Sequence, residues 1–322
     1  MAEEQGRAGD QGEERIVALL NGLGWTKRGD TGIDIKCDYK YHPERGNTYG
    51  VDAYMTYDGP FRDKERGFII ESKNVKWESS SPKKFRGWTE DTLEKVEAVP
   101  ESDEFNKYLN FGESRIVNAG VLSVWTRDEE NYNNDTFEGY FDKVKSHPKK
   151  RRKFQILALG NRELNRLASL HAEFQSLQNQ DEVDTIEFFY PPRPNSHSAR
   201  MPLVTLEYLL SDFVFARAEI ERSMGDITMP RDVGIVFHFD DITLESLNFM
   251  YQAVIEHGME DLDELQVYIY DDEKDDIQMA SVQEEFQSNG RPAEMTGKAP
   301  ELKLKTLRQT NYADHADSLI EG

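Results

Sequence analysis

Apolar residues along the chain recur at helical spacing in some segments and at strand spacing in others. The first periodic segment begins near Gly12, where Ile16, Val17, Leu19, Leu20 and Leu23 line one helix face and Gly24 stops the pattern. Residues 1–11 ahead of it are polar and glycine-bearing. Strand-like runs follow at 33–41, 49–57 and 67–75, separated by turn-rich segments such as Asp58-Gly59-Pro60, and this order predicts an antiparallel meander. The pattern then predicts a short helix over 103–111, a buried strand over 116–126, a helix over 137–144, a buried strand over 154–159 and a helix over 162–178.

A strand-like run at 185–190 leads into Pro191-Pro192-Arg193-Pro194, and the polar loop before that run places a domain boundary near residue 180. Beyond it, strands at 203–206, 234–239 and 265–270 and helices at 209–223 and 244–257 suggest a small α/β unit without a nucleotide-binding fingerprint. From residue 281 the chain is polar and poor in large apolar residues, which reads as a loosely ordered tail or a docking segment. Three parts are therefore expected: 1–180, 181–280 and 281–322.

Charge changes this picture by its distribution. The net formal charge of −22 argues against a polyanion partner for the chain as a whole. Residues 1–165, however, carry 27 Lys and Arg against 30 Asp and Glu, so nearly all the excess acid lies in the second half. The first half also holds the densest basic run, Lys149 to Lys153, which suits either a phosphate backbone or a solvated loop. No run of 18 apolar residues and no secretory leader pattern is present, so the expected location is cytoplasmic, without a membrane partner. The single cysteine, Cys37, excludes an internal disulfide and is expected to pack on a strand.

Candidate chemistry is concentrated in the run Gly67-Phe68-Ile69-Ile70-Glu71-Ser72-Lys73. Residues two apart on a strand share a face, so Glu71 and Lys73 point the same way at the end of an apolar run, where charges are costly unless they have partners or a task. Asp52, in Gly50-Val51-Asp52, lies 19 positions earlier, and a hairpin can bring it beside Glu71. Two carboxylates and the backbone carbonyl of Ser72 would then hold a hard divalent cation, Mg2+ with Mn2+ able to substitute, while open positions remain for phosphate and water. Lys73 would orient or help deprotonate the attacking water, or neutralise charge developing on the phosphate. Asp34 on the preceding strand is the competing aspartate, with a structural or supporting role. Lys76, Lys83, Lys84 and Arg86 follow the motif as nucleic-acid contact candidates, or as solvated surface cations.

The set Asp52 and Glu71-x-Lys73 after a hydrophobic run resembles the PD-(D/E)XK nuclease superfamily, also called restriction-endonuclease-like, over the first half of the chain. Val51 stands where the motif often has proline. The resemblance implies an α/β fold, with a mixed sheet flanked by helices, to which the second, smaller acidic α/β domain is added. It also implies a glutamate on the first helix; Gly12-Glu13-Glu14 offers Glu13, with Glu14 the adjacent alternative, whereas acidic enrichment in a first helical turn needs no such role. The activity implied is Mg2+-dependent hydrolysis of DNA that leaves the phosphate on the 5′ side. By analogy with nucleases of this kind, the setting implied is bacterial antiphage defence or restriction, beside an ATPase or helicase, with self-assembly through the acidic domain. A non-catalytic assembly subunit on the same scaffold and an RNA-directed nuclease are the alternatives.

The seven histidines show no close-spaced ligand pattern, which argues against zinc or histidine-nucleophile chemistry. Asp240 and Asp241 read as part of a helix cap with Thr243, and Asp271, Asp272, Asp275 and Asp276 as a solvated acidic turn.

Overall fold

In the computed structural model the described residues are 2–37, 46–61, 65–103, 105, 116–141, 144, 153–194, 196–224, 227–259, 262–270, 281, 284 and 300–322. The chain divides into two compact units, Met1–Asn165 with Tyr312–Gly322, and Arg166–Asn311. The expected boundary near 180 moves to 165/166, because the helix expected to close the first domain is shared at its first turn. The expected tail is also corrected. Glu301–Leu307 is a strand of the second unit, and Tyr312–Glu321 is a helix of the first.

The first unit opens with α1 (Ala2–Gly22), which starts ten residues earlier than its apolar stripe. Ile16, Leu19, Leu20 and Leu23 are fully buried, as the stripe requires. The sheet order is β1 (Thr26–Lys27), β4 (Ala53–Tyr57), β5 (Arg66–Val75), β6 (Ile116–Thr126) and β7 (Gln155–Leu159). The β1–β4 and β4–β5 pairings are antiparallel, and β5–β6 and β6–β7 are parallel. Helix α2 (Pro82–Ala98) connects β5 to β6, and α3 (Asn134–Phe141) lies between β6 and β7. This is the expected mixed sheet flanked by helices.

The meander differs in one respect. The run at 49–57 breaks at Asp52 into β3 (Thr48–Val51) and β4, and β2 (Ile33–Lys36) pairs only with β3 in a separate two-stranded sheet. Residues 38–41 of the expected first strand lie outside the described residues, as does most of the expected helix at 103–111. Cys37 is 1% exposed, as expected of a packed thiol.

Helix α2 was not legible as an element, yet its signals are present: Ser81 accepts a hydrogen bond from the Lys84 amide as N-cap, and Pro82 occupies the first turn. It packs on β6 at Gly120, where a Cβ would stand 2.9 Å from the methyls of Thr92 and Val96. Helix α1 closes on β5 in the same way, since a Cβ on Gly12 would come within 2.8 Å of Ser72 Oγ. At the C-terminus α6 (Tyr312–Glu321) joins this unit. The Arg15 guanidinium donates to Asp317 at 2.7 and 2.5 Å, the Tyr312 amide donates to Asn165, and the Tyr312 ring packs against Trp125.

Helix α4 (Asn161–Gln178) leads into the second unit, whose six-stranded sheet runs β13 (Glu301–Leu307), β12 (Glu264–Tyr270), β11 (Ile227–His238), β10 (Phe213–Met224), β8 (Val183–Tyr190) and β9 (Ala199–Met201). Helix α5 (Leu244–Glu256) packs Leu247, Met250, Tyr251 and Val254 onto Phe215, Val236 and Val267. The expected helix at 209–223 is instead β10, and 203–206 forms no strand. Ala216, Arg217, Ala218 and Glu219 favour a helix locally, but they alternate in and out of the sheet, and pairing with β8 and β11 on both sides decides the outcome.

Candidate active site

The site forms where β5 emerges from the core. Arg66 to Glu71 are buried, whereas Ser72 to Val75 are half-exposed, so the strand delivers Glu71 and Lys73 at the margin of the sheet. Asp52 lies at the break between β3 and β4, and its Oδ2 accepts a hydrogen bond of 2.7 Å from the Ser72 amide. That bond ties the aspartate to the strand carrying the motif. Lys73 Nζ lies 3.4 Å from Glu71 Oε2, 3.1 Å from the Ser72 carbonyl oxygen and 3.8 Å from Asp52 Oδ2. The oxygens of residues 52, 71 and 72 therefore converge on one ammonium group.

Glu71 is 2% exposed. Its second oxygen, Oε1, accepts from Lys95 Nζ at 2.5 Å. Burial, then the neighbouring Asp52 carboxylate, raises the Glu71 carboxyl above its ordinary range against the pull of Lys95 and Lys73. Lys95 was missed with the helix that carries it. The signal was available: Phe85, Trp88, Thr92 and Lys95 share one α2 face, and a lysine in such a stripe needs an anion nearby.

Glu13 is favoured over Glu14, which is exposed. The close approach of α1 at Gly12 seats Glu13 over the site, with its Oε2 beside Gly32, and the Gly32 amide donates to the Asp52 carbonyl at 2.9 Å. Burial first, then Asp52, Asp10 and Glu71, pushes the Glu13 carboxyl up to about 7, with Lys73 opposing. Asp34 is exposed on β2, opposite Gly50 of β3, and is not among the oxygens that meet Lys73 among the described residues. Lys76, Lys83, Lys84 and Arg86 are all exposed. The last three lie on the early turns of α2, nine or more residues from Lys95, which is at least about 14 Å along the helix axis. Of the basic run, only Lys153 is among the described residues, and it is exposed.

Among the described residues no three His, Cys, Asp or Glu side chains form a ready metal cage. The donor set is instead two carboxylates and a main-chain carbonyl, with Glu13 adjacent. All are hard oxygens, which fits a cation such as Mg2+ that keeps several of its waters. Three carboxylates facing two ammonium groups also leave the site short of positive charge.

A mixed sheet carrying an aspartate at the break before β4 and Glu-x-Lys on β5, its antiparallel neighbour, defines the PD-(D/E)XK nuclease class, whose members typically use divalent metals. The chain belongs to the family described as the GAPS4 protein PD-(D/E)XK nuclease domain, whose model matches residues 1–163. A comparison with curated proteins gives no match. No helix among the described residues is long and apolar enough to cross a membrane.

Proposed function

We propose that the chain is a Mg2+-dependent nuclease that hydrolyses phosphodiester bonds of DNA. The observation that carries this reading is the convergence of Asp52 Oδ2, Glu71 Oε2 and the Ser72 carbonyl on one ammonium group. When bound there, a divalent metal would supply Lewis acidity toward the phosphate and a more acidic water. Asp52 and Glu71 would hold it, with Ser72 adding a neutral oxygen and Glu13 a further carboxylate. Lys73 would orient the attacking water or meet the charge that develops on the phosphate. Lys76, just after β5, and Lys83, Lys84 and Arg86 on the early turns of α2, all exposed, would be the cations available to the phosphate backbone.

The biological setting proposed, by analogy alone, is cytoplasmic antiphage defence or restriction beside an ATPase or helicase, with self-assembly through the acidic unit. Coexpression and pull-down with the product of a neighbouring ATPase gene tests that partner.

A second reading, a non-catalytic scaffold, draws on the lysines that already neutralise the carboxylates in place of a metal. One experiment separates the readings. Wild type and Glu71→Ala are incubated with plasmid DNA and with RNA, in Mg2+ and in EDTA, with and without a coexpressed partner. Cleavage of DNA that needs Mg2+ and Glu71 supports the nuclease. Equal absence of cleavage in both proteins favours the scaffold, and preferential RNA cleavage moves the substrate to RNA.

A further inference from the structure

The two lysines on Glu71 are held differently. Lys73 sits at the half-exposed end of β5, its side chain 28% exposed, with contacts of 3.1 to 3.8 Å to three oxygens. Lys95 is 12% exposed, lies on the buried stripe of α2 and, among the described residues, pairs with Glu71 Oε1 at 2.5 Å and with no other carboxylate. The loosely held ammonium lies at the point common to the candidate metal ligands. The tightly held one is on the far oxygen of the same carboxylate.

We infer, building on the metal-dependent nuclease reading, that Lys73 holds the place of the metal and yields it when the cation binds, whereas Lys95 stays on Glu71 Oε1 and aims Oε2 at the site. Lys95 is thus a positioning residue that touches neither metal nor substrate. Glu71 has little room for a water to replace the Lys95 contact, so without it the carboxylate loses the partner that fixes its rotation. Lys73, displaced from the oxygens, is free to reach water or phosphate. Its two parts are then successive: a counter-charge in the metal-free protein and a group for chemistry afterwards.

A lysine that only neutralised Glu71 would behave in the opposite way, because removing a positive charge beside a metal site strengthens its pull on a cation. The sign of the effect on metal affinity therefore discriminates. The experiment is calorimetric titration of the full-length protein with Mn2+, without nucleic acid, for wild type, Lys73→Met, Lys95→Gln and Lys95→Arg, with thermal melts confirming that each is folded. Lys73→Met is expected to bind Mn2+ at least as tightly as wild type. Lys95→Gln is expected to bind about 10- to 100-fold more weakly, the usual cost of losing a partner that orients a ligand. Lys95→Arg, which keeps a cationic donor, recovers most of that loss, and raising the metal concentration restores cleavage in Lys95→Gln. Mn2+ binding by Lys95→Gln equal to or tighter than wild type overturns the inference while leaving the nuclease reading intact. So does weakened binding in Lys73→Met, which remains readable if Lys95→Gln fails to fold. Wild type that binds no Mn2+ at all removes the nuclease reading and the inference with it.

Discussion

Each unit of the molecule contains a glutamate almost hidden from solvent and paired with a lysine from another element, and the two pairs behave in opposite ways. In the second unit Glu264 accepts from Lys303 at 2.7 Å and from Gln266 at 2.7 Å, with Arg231 at 3.5 Å. Burial pushes its carboxyl up, but these donors outweigh the burial and hold it below the ordinary range. In the first unit Glu71 has Lys95 at 2.5 Å and Lys73 at 3.4 Å, yet burial and Asp52 keep its carboxyl raised. The difference lies in how the charges are met. Glu264 also has a carboxylate neighbour, Glu301 across the strand pair, but Lys303 and Arg231 serve both and Gln266 adds a further donor. Glu71 is raised by burial first and by Asp52 second, and its two lysines do not offset them, which leaves room for a further cation.

Substitution of the two glutamates gives the widest separation. Glu71→Gln is expected to lose about 10³-fold of Mg2+-dependent cleavage, since a metal contributes several kcal/mol to the transition state. Glu264→Gln is expected to cleave like wild type in the same plasmid assay. Equal losses would erase the functional distinction between the pairs.

Next in size is stability without metal. Lys95→Met strands a buried carboxylate and is expected to cost about 3 kcal/mol in urea unfolding. Lys303→Met, whose side chain is 37% exposed, is expected to cost about 0.5 kcal/mol after solvent screening. A Lys303 variant that unfolds as readily as the Lys95 variant would contradict the contrast.

The pH dependence should differ in sign. A carboxyl raised on folding contributes stability below its unfolded pKa and loses it as pH rises through the folded value. For Glu13 that window runs from 4.5 to about 7, and Glu71 opens upward from 4.5 as well. In EDTA, Glu13→Gln and Glu71→Gln should therefore gain melting temperature relative to wild type as pH rises from 4.5 to 8. Glu264, depressed on folding, contributes stability above the unfolded value, and that contribution fades as pH falls through the folded one. The deficit of Glu264→Gln should accordingly shrink as the solution is acidified. Parallel pH profiles for the three variants would remove this support.

The smallest effect concerns the C-terminal helix. Asp317→Ala breaks a pair with Arg15 in which the aspartate side chain is 39% exposed, so about 0.5 kcal/mol is expected. Arg15 holds the Asp317 carboxyl below its usual range, so the loss should fade as pH drops below the ordinary aspartate value. A neutral outcome at pH 7 would mean that α6 is held by Tyr312 and Ala316, both buried, rather than by this pair.

Sequence reading reached the motif because its signals are local. A strand with an apolar start and a charged end shows Glu71 and Lys73 directly, whereas Glu13, midway along α1, was reached only through the family resemblance. It did not reach Lys95, because a helix capped by Ser81 and Pro82 was not recognised and the charge in its stripe had no context. It turned β10 into a helix because Ala216 to Arg222 carry helix-favouring residues whose fate is set by strands on either side. It also left residues 301–321 unstructured. Polar composition concealed that Leu302 and Leu304 pack on the second core and that Tyr312 is buried in the first unit. Local chemistry was thus legible, and pairings across long stretches of chain were not.

The most direct test of the central claim is a crystal of the wild-type protein soaked in Mn2+ and read by anomalous scattering. The account predicts one strong peak bonded to Asp52 Oδ2, Glu71 Oε2 and the Ser72 carbonyl, with Lys73 moved off the point it now occupies and Lys95 still on Glu71 Oε1. A peak elsewhere, for example among the acidic residues Asp271 to Asp276, which lie outside the described residues, or no peak while Lys73 stays in place, would contradict it.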